Sequence, residues 1–136
     1  MDRNLQIIGL AKKAGLLAVG AEDSSSAAKT GKARVVISAH NASKNALRRV
    51  RNSLEGKRTL HVIVPYTSFE LGTVSGRGSP GTVAILDAGL AARFMTGMAE
   101  TDPERYGEQA TALTEKARAI AERKKLKPSG KRRTVQ

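Results

Sequence analysis

The chain has 136 residues, enough for one domain with a short appendage, and sets 24 Lys and Arg against 12 Asp and Glu for a formal net charge of +12. Such a balance points to polyanionic partners, RNA and DNA ahead of an anionic membrane surface, and says nothing of fold. Cys and Trp are absent and aromatics make up 3% of residues; this excludes disulfides, thiolate metal sites and a binder that stacks successive bases on aromatic rings.

The first segment, "MDRNLQIIGLAKKAG", interrupts its apolar pattern with charges and is expected to be neither a signal peptide nor a spanning helix. No apolar run approaches the ~20 residues a bilayer crossing needs, so a soluble, cytoplasmic protein is expected. Ile7, Leu10, Ala11 and Ala14 recur at helical spacing, which predicts a first helix with that face inward and Gly15 at its end. "LLAV" predicts a short strand. Gly20 then opens a second helix, with Glu22 and Asp23 in the first turn, where acids suit the helix dipole, and Gly31 closing it.

In "ARVVIS" the apolar residues Val35, Val36 and Ile37 are consecutive and not alternating, the pattern of a strand buried on both faces. "ASKNALRRVRNSLEG" predicts a third helix, with Leu47, Val50 and Leu54 inward and Lys44, Arg48, Arg49 and Arg51 on a cationic side. "LHVIVP" predicts another buried strand, "TSFELGTVSG" a short helix capped by Thr67 or Ser68, "GTVAILD" a strand and "AGLAARFMTGM" a last core helix. Helices alternating with continuous apolar strands predict an α/β fold, a three-layer α/β/α sandwich over residues 1–98.

Composition shifts after Met98. Residues 99–123 are expected to form a linker, "AETDPE", and an amphipathic helix whose stripe runs through Tyr106, Ala110, Leu113, Ala117 and Ile120. Residues 124–136 form a basic tail too polar to fold alone, expected to be disordered.

Motifs that would carry chemistry are scarce. Gly76, Gly78 and Gly81 in "GRGSPG" match the dinucleotide spacing, but the fingerprint must follow a strand and open a helix. Here it follows a helix and leads into a strand, so it is expected to be a surface loop able to lie against a nucleic-acid backbone. His40 and His61 form no triad or metal cluster, the serines at 24, 25 and 26 have no base nearby in sequence, and no carboxylate pair stands out. A non-enzyme without metal, cofactor or small-molecule substrate is expected.

"IIGLAKKAG", the "VG" before the second helix, "GKARVVISAHNAS", "VP" followed by "ELG", and "VAILDAGLA" together resemble a known family. It is the kink-turn RNA-binding ribosomal protein family, whose archaeal large-subunit member is called L-seven-Ae, and the chain is most similar to its bacterial YlxQ-like branch. The resemblance covers about Leu5 to Met95. It implies a small mixed sheet within the sandwich. It also implies binding of structured RNA, kink-turn-like or ribosomal, in a ribonucleoprotein that includes ribosomal proteins. The expected RNA-binding residues are Gly20, Ala21, Glu22, Asp23, Ser26, Lys29 and Lys32, joined by Arg48 and by Arg77, Gly78 and Ser79 of the glycine loop.

In the archaeal pattern the second helix starts Gly-x-Asn-Glu-x-x-Lys. Here Gly20 matches the Gly, Glu22 stands for the Asn, Asp23 for the Glu and Ser26 for the Lys. An amide can donate and accept at a base edge, whereas an ionised Glu22 only accepts, and the O6 and N7 of guanine are acceptors too. The alternative function is a protein-interaction regulatory module on the same scaffold, favoured by Glu22 and Asp23 and opposed by the net charge.

Overall fold

The computed structural model describes residues 2–76 and 78–126. Its elements in chain order are α1 (Arg3–Lys13), β1 (Leu17–Val19), α2 (Ala21–Lys29), β2 (Val35–Ala39), α3 (Lys44–Ser53), β3 (Leu60–Val64), α4 (Ser68–Ser75), β4 (Thr82–Ile85), α5 (Ala88–Thr101) and α6 (Pro103–Leu126). The four strands form one mixed sheet in the order β1-β4-β2-β3. β4 runs antiparallel to β1 and β2, with Val83 opposite Val19 and Ile37, while β2 and β3 run parallel with Val36 opposite His61.

β2 is the centre of the molecule, and all five of its residues are buried. Val35, Ile37 and Ala39 join the larger core beneath α1, α4 and α5, which includes Ile8, Leu71, Phe94 and Met95. Val36 faces the other way, into a smaller cluster with Ala27 and Ala28 of α2 and Val50 of α3. This is the three-layer α/β/α sandwich that the consecutive β-branched run predicts. Leu47 and Leu54 are half-buried beside Val50, so α3 turns inward the predicted side.

Three expectations are corrected. Leu10 is 45% exposed and Ala14 is exposed; α1 instead buries Asn4, Leu5, Ile7, Ile8 and Ala11. The adjacent isoleucines fit either face, and packing of Gly9 beside Val74 of α4 selects this one. β3 is an edge strand and not a strand buried on both faces, with Val62 and Val64 inward and Ile63 40% exposed. The predicted linker does not exist: α5 continues to Thr101, and only Asp102 separates it from α6. Asp102 accepts a hydrogen bond from the Arg105 amide at 3.2 Å and Pro103 takes the first helical position, so one residue suffices to turn the chain.

The amphipathic helix is part of the core and not an appendage to residues 1–98. Tyr106, Ala110 and Leu113 are buried in the larger cluster, and Ala117 packs against it. The Tyr106 hydroxyl donates to the Ile63 carbonyl at 3.0 Å, occupying one acceptor on the open edge of β3. Lys124, Lys125 and Leu126, assigned to the tail by composition, lie in the last turn of α6; the rest of that tail, residues 127–136, falls outside the described residues.

Fully burying side chains the size of Tyr106 and Leu113 stabilises by about 1.5–3 kcal/mol each. A chain ended after Thr101 is therefore expected to fold cooperatively but to melt at least ~10 °C lower, since each kcal/mol moves the midpoint of such a domain by about 4–8 °C. Thermal unfolding followed by circular dichroism checks this, and an unshifted midpoint would return α6 to the status of an appendage.

Candidate nucleic-acid interface

The C-terminal ends of β1, β2 and β3 and the start of β4 lie along one edge of the sheet. The chain therefore enters α2, α3 and α4 from that edge, and their N-termini gather on one rim. Backbone hydrogen bonds tie the rim together: the Gly20 amide donates to the Thr82 carbonyl, the Ala39 amide to the Gly81 carbonyl and the His40 amide to the Tyr66 carbonyl, at 2.8, 2.8 and 3.0 Å. Asn41 reaches across to accept from the Ser68 amide at the start of α4. The glycine loop is held against α4 because Gly72 has no side chain; a Cβ there would overlap the Gly78 carbonyl.

Five of the helices begin with a side-chain cap. Asp2 caps α1, Ser43 α3, Thr67 α4 and Asp87 α5, with Thr67 and Glu70 forming a reciprocal capping box. Asp102 does the same for α6. α2 differs: its N-cap is Gly20, at φ +98°, and it has no side-chain cap hydrogen bond. A residue with a Cβ is strained at that φ, so the position is held by glycine at the expense of a capping hydroxyl or carboxylate. Unpaired N–H groups at a helix start attract anions.

Beside α2 lies an open groove of about 840 Å³ between α2 and α3. Glu22, Ser25, Ser26 and Lys29 form its α2 wall at helical spacing, and Asn45, Arg48, Arg49 and Asn52 form the α3 wall. Arg49 also closes a smaller cavity with Ala21 and Asn45 at the groove's upper end. Three cations and one carboxylate thus share this surface. Ser25 is 6% exposed, and its hydroxyl has no hydrogen-bond partner among the described residues.

The expected site residues divide over this geometry. Gly20, Ala21 and Glu22 lie at the helix start, and Ser26, Lys29 and Arg48 line the groove. Asp23 sits on the opposite flank of α2, in a hollow shared with Lys12 and Lys32. Lys32 does not continue the row after Lys29, because the chain reverses at Gly31 with φ +78°. Gly78 and Ser79 are exposed on the rim loop, while Arg77 lies outside the described residues. Ser25, Asn45, Arg49, Asn52 and Ser53 complete the groove without having been singled out as site residues. The i, i+3, i+4, i+7 spacing of each row was readable; that the two rows face each other was not. Phe69, 69% exposed at the start of α4, is the one highly exposed aromatic among the described residues. That leaves no series of rings for successive bases.

The polar interior behind the rim is a ladder across three strands. The Ser38 hydroxyl lies 2.9 Å from His61 Nε2 and 3.2 Å from the Thr82 hydroxyl. Burial first, and the charge of Arg51 second, hold the His61 imidazole below its usual protonation range.

The uncapped helix start, the glycine loop and the cationic groove lie together on one side of an α/β/α sandwich with a C-terminal helix. Among solved structures the chain is similar to a protein of unknown function from Bacillus halodurans C, at 21% identity and TM-score 0.64, covering 71% of this chain and 97% of that one. It is also similar to the Giardia lamblia 15.5kD RNA binding protein, at 19% identity and TM-score 0.55, covering 66% of this chain and 79% of that one. At these identities the likeness establishes a shared fold. No protein-family model and no curated protein sequence matches the chain. Among the described residues, no helix is long and apolar enough to cross a membrane.

The His61 environment has a measurable consequence. Its imidazole binds a proton less readily folded than unfolded, so the unfolded chain protonates first as pH falls past the usual 6.5. The stability this contributes is complete above pH 6.5 and is lost as pH falls through the lower folded value. The chemical-denaturation midpoint is expected to decline on acidification from about pH 7 to about pH 5. His61→Gln should flatten that slope, and an equal slope in the variant would assign the decline to other groups.

Proposed function

We propose that this chain is a non-catalytic RNA-binding protein of the kink-turn type, which takes a structured RNA at the rim and acts within a ribonucleoprotein, with ribosomal RNA and ribosomal proteins as its setting. The observation that carries this reading is the uncapped start of α2, placed by Gly20 on the rim beside the glycine loop and the cations of the α2–α3 groove. The uncapped helix start offers amide donors to a phosphate or a base edge, and the excess of 12 positive charges supplies sequence-independent attraction. The resemblance over Leu5 to Met95 supports the same reading, as does the RNA binding of the Giardia neighbour.

Glu22 is the residue at odds with tight kink-turn recognition. It stands at the top of the groove, where its carboxylate faces phosphates and cannot donate to guanine. Ser26 follows it on the same wall, one turn further on.

Glu22→Asn is expected to tighten binding to a kink-turn RNA by roughly fivefold to tenfold, since one good base contact is worth about 1–3 kcal/mol of discrimination. Adding Ser26→Lys should bring the total gain to about tenfold to a hundredfold. Titration of wild type and both variants against a kink-turn duplex and an unkinked control measures this. Equal or weaker binding by the variants would remove the α2 start from the RNA site. Negligible binding of any RNA by the wild-type chain would favour the protein-interaction module.

A further inference from the structure

The groove between α2 and α3 is longer than a contact at the helix start requires. Base-edge or phosphate contacts at the rim would use Gly20 to Glu22 and the first turn of α3. The lined surface continues two turns beyond, to Lys29 on one wall and Asn52 on the other. Its chemistry is also distinct from the rim. No aromatic lines it, so it has nothing on which to stack a base; its one carboxylate, Glu22, stands at the rim end, and beyond it the groups are guanidinium, ammonium, amide and hydroxyl. These suit phosphate and ribose oxygens, and arginine in particular can grip a phosphate through two N–H donors.

Ser25 adds a second observation within the groove. Buried hydroxyls nearly always have a partner, and an unpaired one is destabilising. Ser25, 6% exposed, is one of three serines, with Ser24 and Ser75, whose buried hydroxyls have no partner among the described residues, and it alone of the three lines the groove. An alanine at this place would fit the small-residue packing of α2 without that cost. The hydroxyl is explained if it bonds something that enters the groove.

Resting on the RNA-binding reading above, we propose that the α2–α3 groove holds the sugar–phosphate backbone of a base-paired arm of the RNA as that arm leaves the rim. Arg48, Arg49 and Lys29 neutralise its phosphates, Asn45 and Asn52 donate to backbone oxygens, and Ser25 bonds a phosphate or a 2′-hydroxyl. Contacts of this kind position an RNA and read no sequence. Affinity therefore depends on the length of one arm and not on its base order.

The test uses the full chain and a set of kink-containing RNAs whose arms are extended in turn from about four to about ten base pairs, each in two unrelated sequences. Wild type is expected to gain at least about tenfold in affinity on lengthening one arm, equally for both sequences. The Arg48→Gln, Arg49→Gln double variant should lose at least about fivefold more on that long-arm RNA than on the short-arm one. Its dependence of log affinity on log salt should flatten by about 1.4 to 1.8, the share of two phosphates. Ser25→Ala separates function from folding: it should melt at a higher temperature than wild type yet bind the long-arm RNA about threefold to tenfold more weakly. The proposal is overturned if arm length leaves wild-type affinity unchanged, or if the double variant keeps the wild-type salt slope. It also fails if a polyglutamate peptide binds the groove, losing affinity in the double variant, while leaving the affinity of the long-arm RNA unchanged, which would make the groove a seat for acidic protein. Absence of wild-type binding even to the short-arm RNA would instead overturn the RNA-binding reading itself.

Discussion

Everything in this molecule depends on β2 being buried on both faces. Val35, Ile37 and Ala39 enter one core and Val36 the other, so the strand needs a helical layer on each side before its burial is complete. Its parallel pairing with β3 then requires a crossover, and α3 is that crossover. With β4 antiparallel to β2, the C-terminal end of β2 and the N-terminal end of β4 meet at one edge. The starts of α2, α3 and α4 are gathered there as a consequence. The rim is thus a product of sheet topology, and its amides point outward because each helix begins where a strand has just ended.

On that rim the protein departs from what would stabilise it most. Every other helix is capped by a side chain, but α2 starts at a glycine with positive φ. Ser25 keeps a buried hydroxyl without a partner, and Phe69 stands out in water. A cap replaced by glycine costs a few tenths of a kcal/mol, and an unpaired buried hydroxyl about 1–3 kcal/mol. The uncapped start of α2 and the exposed Phe69 share the rim, while the unpaired hydroxyls are spread more widely, with Ser24 beside Ser25 in α2 and Ser75 in α4 on the other layer.

The far side is built for stability. α6 turns back at Asp102 and lays Tyr106, Ala110 and Leu113 over the core, while the Tyr106 hydroxyl occupies a carbonyl on the open edge of β3. An edge strand with a half-exposed Ile63 is a site for pairing with another chain, and α6 narrows that opportunity. The α/β/α unit is therefore not complete at the end of α5, although composition changes there.

The sequence alone determined the layers and the punctuation. Val35 to Ile37 in succession has one structural meaning, and Gly15, Gly20 and Gly31 mark turns because each adopts a positive φ. The resemblance led to the expectation of a site at the start of α2 and in the glycine loop. Only the tertiary structure decided which face of α1 is inside, because Ile7 and Ile8 are compatible with two phases until α4 arrives. The same holds for β3, since strand order is a long-range property that no local pattern encodes. The groove is the clearest case. Glu22, Ser25, Ser26 and Lys29 form a row by helical period alone, and so do Asn45, Arg48, Arg49 and Asn52. That the rows form two walls of one groove follows from both helices packing on the same face of the sheet.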